Sequence, residues 1–330
     1  MWKTVVRRLL IMIPQLVALS VVMFVIAWFM PGDALRGLVG PDSPPGELTR
    51  LRQEAGLLDP WYVQYGRWIR DISQGDFGRS LAHNVPVTTV IGERMMNTVR
   101  LSIVTTFLLY LFAIPMGIVA GRRNGRLPDK IVLFYTFLAL SMPTVVLALL
   151  MIFAFAFNAF NIPVDTAWFP LPAMGTIHVD AHFAGGWTAV ANRIQHLILP
   201  SVTGALLGSV GTIYFLRNEI IDVQTSDFVT TARSKGVPEG KVYTRHILRN
   251  AILPVAGGMG ASIALVFTGS IFIESVFTYQ GMGLLFIQSI QLRDWPVANT
   301  LIMFYAIIGV VAGLLADIAI MIVDPRIRIK

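Results

Sequence analysis

Few side chains in this sequence stand where they could do chemistry, and they fall into three groups. His178 and His182 are four apart, the spacing at which a helix would offer two imidazoles to one metal ion. The residues around them are loop formers, and no third ligand follows at a fixed spacing. Glu274 and Asp317 lie inside long apolar runs, where acids usually mark ion or proton coupling, yet neither has a paired charge or a relay series beside it. For Asp317 an interhelical hydrogen bond or a cap near the interface is the better reading. The third group is a polar, basic island between two apolar segments, Asp227-Phe228-Val229-Thr230-Thr231-Ala232-Arg233-Ser234-Lys235-Gly236, continuing through Pro238 to His246-Ile247-Leu248-Arg249-Asn250.

What is absent narrows the chemistry further. With no cysteine the chain has no disulfide, no thiolate metal site and no cysteine nucleophile. It has no glycine-rich loop ending in Lys and Ser/Thr, so it cannot bind and hydrolyse a nucleotide by that route. An energy source, if one is needed, belongs to a partner.

The island itself reads as a docking device. Thr225, Ser226 and Asp227 offer helix N-caps, and Gly236 supplies the left-handed residue that commonly closes a helix. Pro238 then suits the first turn of a second helix. A helix of about ten residues is marginal in water, because nucleation is costly and few hydrogen bonds follow, so something must hold it. Phe228 and Ala232, four apart with Val229 beside them, form an apolar knob among charged and hydroxylated residues. A groove on another protein is the favoured seat for such a knob. The alternative is an interfacial helix held on anionic lipid through Arg233, Lys235, Lys241 and Arg245.

The elements that must position these residues are membrane spans. The 330 residues are 55% hydrophobic and only 14% charged, which is an integral membrane composition. The net charge of +7 comes from basic residues at the ends of apolar runs, not from a stripe interleaved with aromatics, so nucleic acid is not the expected partner. Lys3, Arg7 and Arg8 precede an apolar run that is longer than a signal core and lacks an Ala-x-Ala site, so residues 1–30 are expected to keep a first transmembrane helix. Six runs are long enough to cross the hydrocarbon: 9–29, 99–120, 131–157, 197–216, 251–277 and 297–323. An even number puts both termini on one side. The short loops on that side are basic, which places both termini in the cytoplasm.

Three regions follow: 1–30, an extracytoplasmic region 31–94, and a five-helix core 95–330 whose loop 217–250 carries the island. In the second region Trp61, Tyr65, Trp68 and Ile69 fall on one helical face and read as aromatic anchors at the membrane interface. Glycine and proline recur in the spans, where such breaks belong between helices or along a hydrated path. Gly204, Gly208 and Gly211 fit ordinary small-residue packing, whereas Gly257, Gly258 and Gly260, soon after Pro254, fit a flexible pathway helix.

The island, with Arg245-His246-Ile247-Leu248-Arg249-Asn250-Ala251-Ile252-Leu253-Pro254, resembles the EAA loop of binding-protein-dependent ABC transporter permeases, and more narrowly the B subunit of the dipeptide/oligopeptide/nickel branch. Pro31-Gly32-Asp33, Gln74-Gly75-Asp76-Phe77-Gly78-Arg79-Ser80, Glu274-Ser275-Val276-Phe277, Gly281-Met282-Gly283 and Asp324-Pro325-Arg326-Ile327-Arg328 match the same family in order along nearly the whole chain. Thr230-Thr231-Ala232 stand where the general pattern has Glu-Ala-Ala, a form typical of the peptide branch. The resemblance implies an all-α polytopic permease of the type I importer fold in the cytoplasmic (inner) membrane. It also implies a homologous second permease, two ABC ATPase subunits or domains that carry ATP and Mg, an extracytoplasmic solute-binding protein that docks on region 31–94, and no cofactor on this chain. By the same resemblance Asp227, Phe228, Val229, Thr231, Ala232, Arg233, Lys235 and Gly236 couple to the ATPase, and transport is inward. The cargo implied is peptide, with oligosaccharides or nickel as alternatives within the same architecture. An ion-coupled carrier acting alone lacks the paired intramembrane charges it would need.

Overall fold

The computed structural model describes residues 2–29, 44, 46–54, 56, 58–159, 170–253, 255 and 270–323. Among them the structure is helical, with one isolated bridge between Arg79 and Pro86. The helices are α1 (Trp2–Phe29), α2 (Glu47–Glu54), α3 (Trp61–Ser73), α4 (Val87–Arg122), α5 (Leu127–Ser141), α6 (Thr144–Met151), α7 (Val179–Ala184), α8 (Gly186–Gln224), α9 (Asp227–Ser234), α10 (Glu239–Lys241), α11 (Arg249–Ala251), α12 (Ile271–Val276), α13 (Met282–Gln291) and α14 (Trp295–Val323). π-Helical turns extend α6 through Ile152–Ala156 and join α10 to α11 through Val242–Leu248.

Helices α4, α8 and α14 are long and apolar enough to cross a membrane, and α1 contributes a shorter apolar stretch, Leu10–Val25. The run expected as a third span, 131–157, is covered by two helices, α5 and α6, which together are long and apolar enough to cross and meet at a bend of 106°. The cause is Pro143. Its ring pushes the preceding Met142 out of helical dihedrals, to φ −93 and ψ 121, and Pro143 itself is extended at φ −60 and ψ 139. Pro14, Pro115 and Pro200 lie inside continuous helices. The expected fifth span, 251–277, lies mostly outside the described residues; its two ends are α11 and α12.

The spine of the molecule is α4 against α8. A Cβ on Gly117 would come within 3.1 Å of Leu216, and one on Gly121 within 2.8 Å of Ile220. Further along, Gly204 faces Thr105 and Gly208 faces Leu109 at 2.8 and 2.7 Å. Small residues here let two backbones approach, as the sequence predicts for Gly204 and Gly208. Gly211 differs: it faces open space.

Helix α3 is held differently from the membrane-anchor expectation. Phe24 of α1 meets the rings of Tyr65 and Trp68 at 5.5 and 5.8 Å, and the Tyr65 hydroxyl shares a 2.8 Å hydrogen bond with that of Ser20. The aromatic face is therefore used partly for packing within the chain, while Trp61 stays exposed.

Candidate functional site

The island forms α9 and the turn that follows it. Helix α8 ends at Thr225, whose Oγ1 donates to the Asp222 carbonyl at 2.8 Å, and the Ser226 Oγ donates to the Val223 carbonyl at 2.6 Å. Ser226 occupies the N-cap of α9 in an extended conformation, but its hydroxyl closes α8 and makes no cap bond to α9. Asp227 places a carboxylate in the first turn, where the helix dipole favours it. The other end is a Schellman motif. The Gly236 N–H donates to Arg233 O at 2.9 Å, the Val237 N–H donates to Ala232 O at 3.2 Å, and Gly236 has φ +73. Pro238 then opens α10.

Two faces of α9 are distinct. Val229 and Ala232, three apart, are buried in a cluster with Leu216 and Ile220 of α8 and Val242, Tyr243, Ile247 and Ala251 beyond the turn. Val237 joins the same cluster and supplies the apolar contact that accompanies a Schellman cap. Asp227, Phe228, Thr230, Thr231, Arg233, Ser234, Lys235 and Gly236 point outward. The expected knob is thus divided: Ala232 turns inward beside Val229, and Phe228, 46% exposed, stands without it on the outer face. Val229 and Ala232 share a side because the chain supplies its own cover for them. Burial of a valine side chain is worth about 1.5–3 kcal/mol, which holds a helix otherwise too short to persist.

The α9 turn is braced from outside and from below. Arg233 Nη2 and Nε donate to the Glu239 carboxylate at 2.7 and 3.1 Å across the turn. That contact lowers the Glu239 carboxyl below its usual range and raises the Arg233 guanidinium. Beneath, the Gln224 amide donates to Gly121 O at 3.2 Å, and Arg122 lies 4.9 Å over the Tyr243 ring. The strongest brace is a buried ion pair: Arg217 Nε and Nη2 donate to the two oxygens of Asp129 at 2.6 and 2.9 Å. The Gly125 N–H adds a third bond to Asp129 at 2.7 Å, and Arg217 also donates to Asn124 Oδ1 at 3.0 Å. This pair ties the α4–α5 turn to α8 one residue from Leu216. The sequence carries one signal for it: Asp129 is the single acid in the basic stretch 121–130.

At the far end of α4 the other recurring motifs meet. Glu274 is fully buried and accepts from Thr98 Oγ1 at 2.9 Å, Gly283 N–H at 2.7 Å and Leu284 N–H at 3.0 Å. Met282 N–H donates to the same Thr98 hydroxyl at 2.7 Å. Glu274 therefore caps α13 and fastens it to α4. Gly281 is required there, since a Cβ would lie 2.5 Å from both Glu274 Oε2 and Thr98 Oγ1. Nearby, buried Asp294 takes a short hydrogen bond from Ser80 Oγ and accepts from the N–H groups of Leu81 and Ala82. This holds the end of the Gln74–Ser80 motif against the start of α14.

The two histidines separate. The His178 ring meets His196, not His182, at 4.7 Å, and His182 lies against Phe183. Gly257, Gly258 and Gly260, the 31–33 and 324–328 motifs and the Asp317 side chain lie outside the described residues.

Comparison with known proteins gives this arrangement a setting. The family described as "Binding-protein-dependent transport system inner membrane component" matches residues 113–329, and its N-terminal companion matches residues 1–102. The chain is 34% identical over 325 residues to the oligopeptide transport system permease protein AppB of Bacillus subtilis, with 98% of each chain covered. It is likewise 34% identical over 327 residues to the glutathione transport system permease protein GsiC of Escherichia coli K12, and to that of Salmonella typhimurium, with 99% of each chain covered. With nearly its whole length matched, the chain belongs to the inner-membrane permeases of binding-protein-dependent ABC transport systems, and is a transport subunit and not an enzyme.

Proposed function

We propose that the chain is one of two homologous permease subunits of an ATP-driven importer for di- and oligopeptides, and that α9 is its coupling helix. The observation that carries the reading is the division of α9. Its inner face is packed on the ends of α4 and α8, and its outer face presents Phe228 with charged and hydroxylated neighbours. A rigid helix seated in a partner's groove would pass that partner's motion to both long helices. Peptide cargo is supported by the two full-length relatives named for oligopeptide and glutathione transport.

In this reading the chain crosses the inner membrane six times in the type I importer arrangement, with both termini and α9 in the cytoplasm. Two ATPase subunits or domains bind ATP and Mg and engage α9 and its counterpart on the second permease. A solute-binding protein delivers peptide at the opposite face, where region 31–94 forms part of its docking surface.

The test uses the complete transporter, with its ATPase partners and binding protein, in liposomes. Phe228→Asp places a charge at the centre of the outer face without touching Val229 or Ala232. Co-purification of the ATPase and ATP-driven uptake of short peptides should both fall about tenfold or more, as for a buried contact at the centre of an interface. Retention of both at wild-type level would remove α9 from the coupling contact.

A further inference from the structure

Near the middle of α4 a cavity of about 240 Å³ opens between α4, α6, α8 and α12. Its wall carries five hydroxyls, from Ser102, Thr105, Thr106, Thr144 and Ser270, and no charged side chain. Although Ser201 Oγ and Tyr305 Oη are buried without a partner among the described residues, other hydroxyls of α5, α8 and α14 satisfy themselves on the preceding turn: Thr136 donates to Leu133 O at 2.9 Å, Thr203 to Leu199 O at 2.7 Å and Thr300 to Pro296 O at 2.7 Å. The cavity hydroxyls do not. Among the described residues Ser102, Thr105, Thr106 and Thr144 make no hydrogen bond, although Ser102 is only 8% exposed. Ser270 Oγ accepts from Ile273 N–H at 3.5 Å, which leaves its proton free to donate.

Unpaired hydroxyls at this depth are costly unless something polar reaches them. We infer that this cavity is a subsite for the peptide backbone of the transported solute. A hydroxyl both donates and accepts, so a cluster of them can meet the N–H and C=O of an amide in either direction. The absence of charge means that neither terminus nor any particular side chain is selected, as a path for peptides of varied sequence requires. An acyl chain would leave the hydroxyls unpaired. The cavity lies where the bend at Met142–Pro143 delivers Thr144, and Gly208 on α8 keeps the opposite wall low.

This inference rests on the importer reading above, and the test separates the two. The chain has no cysteine, so Ser102→Cys creates its single thiol. The complete transporter in liposomes is treated with a small cationic methanethiosulfonate reagent during ATP turnover, with and without short casein peptides delivered by the binding protein. The mass shift is read on this chain, with Phe107→Cys, on the exposed face of α4, as control. Ser102→Cys should react, and peptide should slow the reaction at least about fivefold, the effect of competing with roughly one hydrogen-bonded contact, while Phe107→Cys is unaffected. Removing hydroxyls as Ser102→Ala with Thr105→Val should lower maximal peptide uptake about fivefold or more without loss of ATPase co-purification. A thiol that never reacts, or reacts equally with and without peptide, overturns the subsite, as does wild-type uptake by the double variant. Loss of assembly in the double variant would make the hydroxyls structural and also overturn it. If the wild-type transporter takes up no peptide, it is the importer reading that fails.

Discussion

Replacing Asp129 by Ala probes the corner on which α9 is built. The carboxylate accepts three hydrogen bonds, two from Arg217 and one from the Gly125 N–H, and is 1% exposed. Its loss leaves Arg217 with the neutral oxygens of Asn124 and Asn218 as its remaining side-chain acceptors. Breaking a fully buried pair by removing one partner costs about 3–5 kcal/mol. The Arg217 side chain is 15% exposed, so partial solvation reduces that figure, and we expect about 2–3 kcal/mol. Because every 1.4 kcal/mol is tenfold, local opening of this corner should become roughly 30- to 140-fold more frequent. Hydrogen exchange on the purified chain in detergent reads this directly at the Gly125 amide. The Gly236 and Val237 amides should also exchange faster, because Leu216 and Ile220, flanking Arg217 on α8, back the α9 cluster. Arg217→Ala should give a similar change, and the double variant less than the sum of the two, since the pair is lost only once. Additivity of the two single changes within about 0.5 kcal/mol would refute the reasoning, because it would mean that the charges do not act on each other.

Two further outcomes follow from other contacts. Gly236→Ala forces a Cβ into a residue at φ +73 and should weaken the α9 cap by about 1–2 kcal/mol, seen as faster exchange of the Val237 amide and reduced ATP-driven uptake; unchanged exchange would argue against the Schellman cap. Glu274→Gln turns one acceptor of the α13 N–H groups into a donor and should cost about 1–3 kcal/mol, measured as a lower midpoint of thermal denaturation in detergent, whereas Thr98→Ser, which keeps the hydroxyl, should cost less.

The sequence discloses some of this and conceals the rest for physical reasons. Apolar runs long enough to span are visible because hydropathy is a local property, and α4, α8 and α14 lie where those runs are. Proline is ambiguous. Pro143 breaks a helix by 106°, while Pro115 and Pro200 sit inside unbroken ones, so the residue type alone does not say which outcome follows. The closing role of Gly236 is legible because a left-handed residue favours glycine wherever it occurs. The inward turn of Ala232 is not, because its cover comes from α8 and from residues 242–251. Glu274 stands out as an acid in an apolar run, but its partner Thr98 is 176 residues away, so a cap and an ion-coupling site look the same from sequence. The pairing of His178 with His196 in place of His182 has the same origin.

The bend at Met142–Pro143 gives one stretch of chain two directions, and each arm keeps one exposed apolar face and one buried face. Before it, α5 turns Phe134, Phe137 and Leu140 outward and buries Val132 and Thr136; after it, Leu149, Leu150 and Phe153 face outward while Ala148 and Ile152 are enclosed by protein together with Ile273 and Phe277. A helix of 15 residues rises only about 22 Å, less than the depth of the hydrocarbon, so α5 alone is too short to cross it. Thr144, at the start of the second arm, lines the cavity proposed above as a subsite, so in that reading the angle of the elbow sets where its hydroxyl stands.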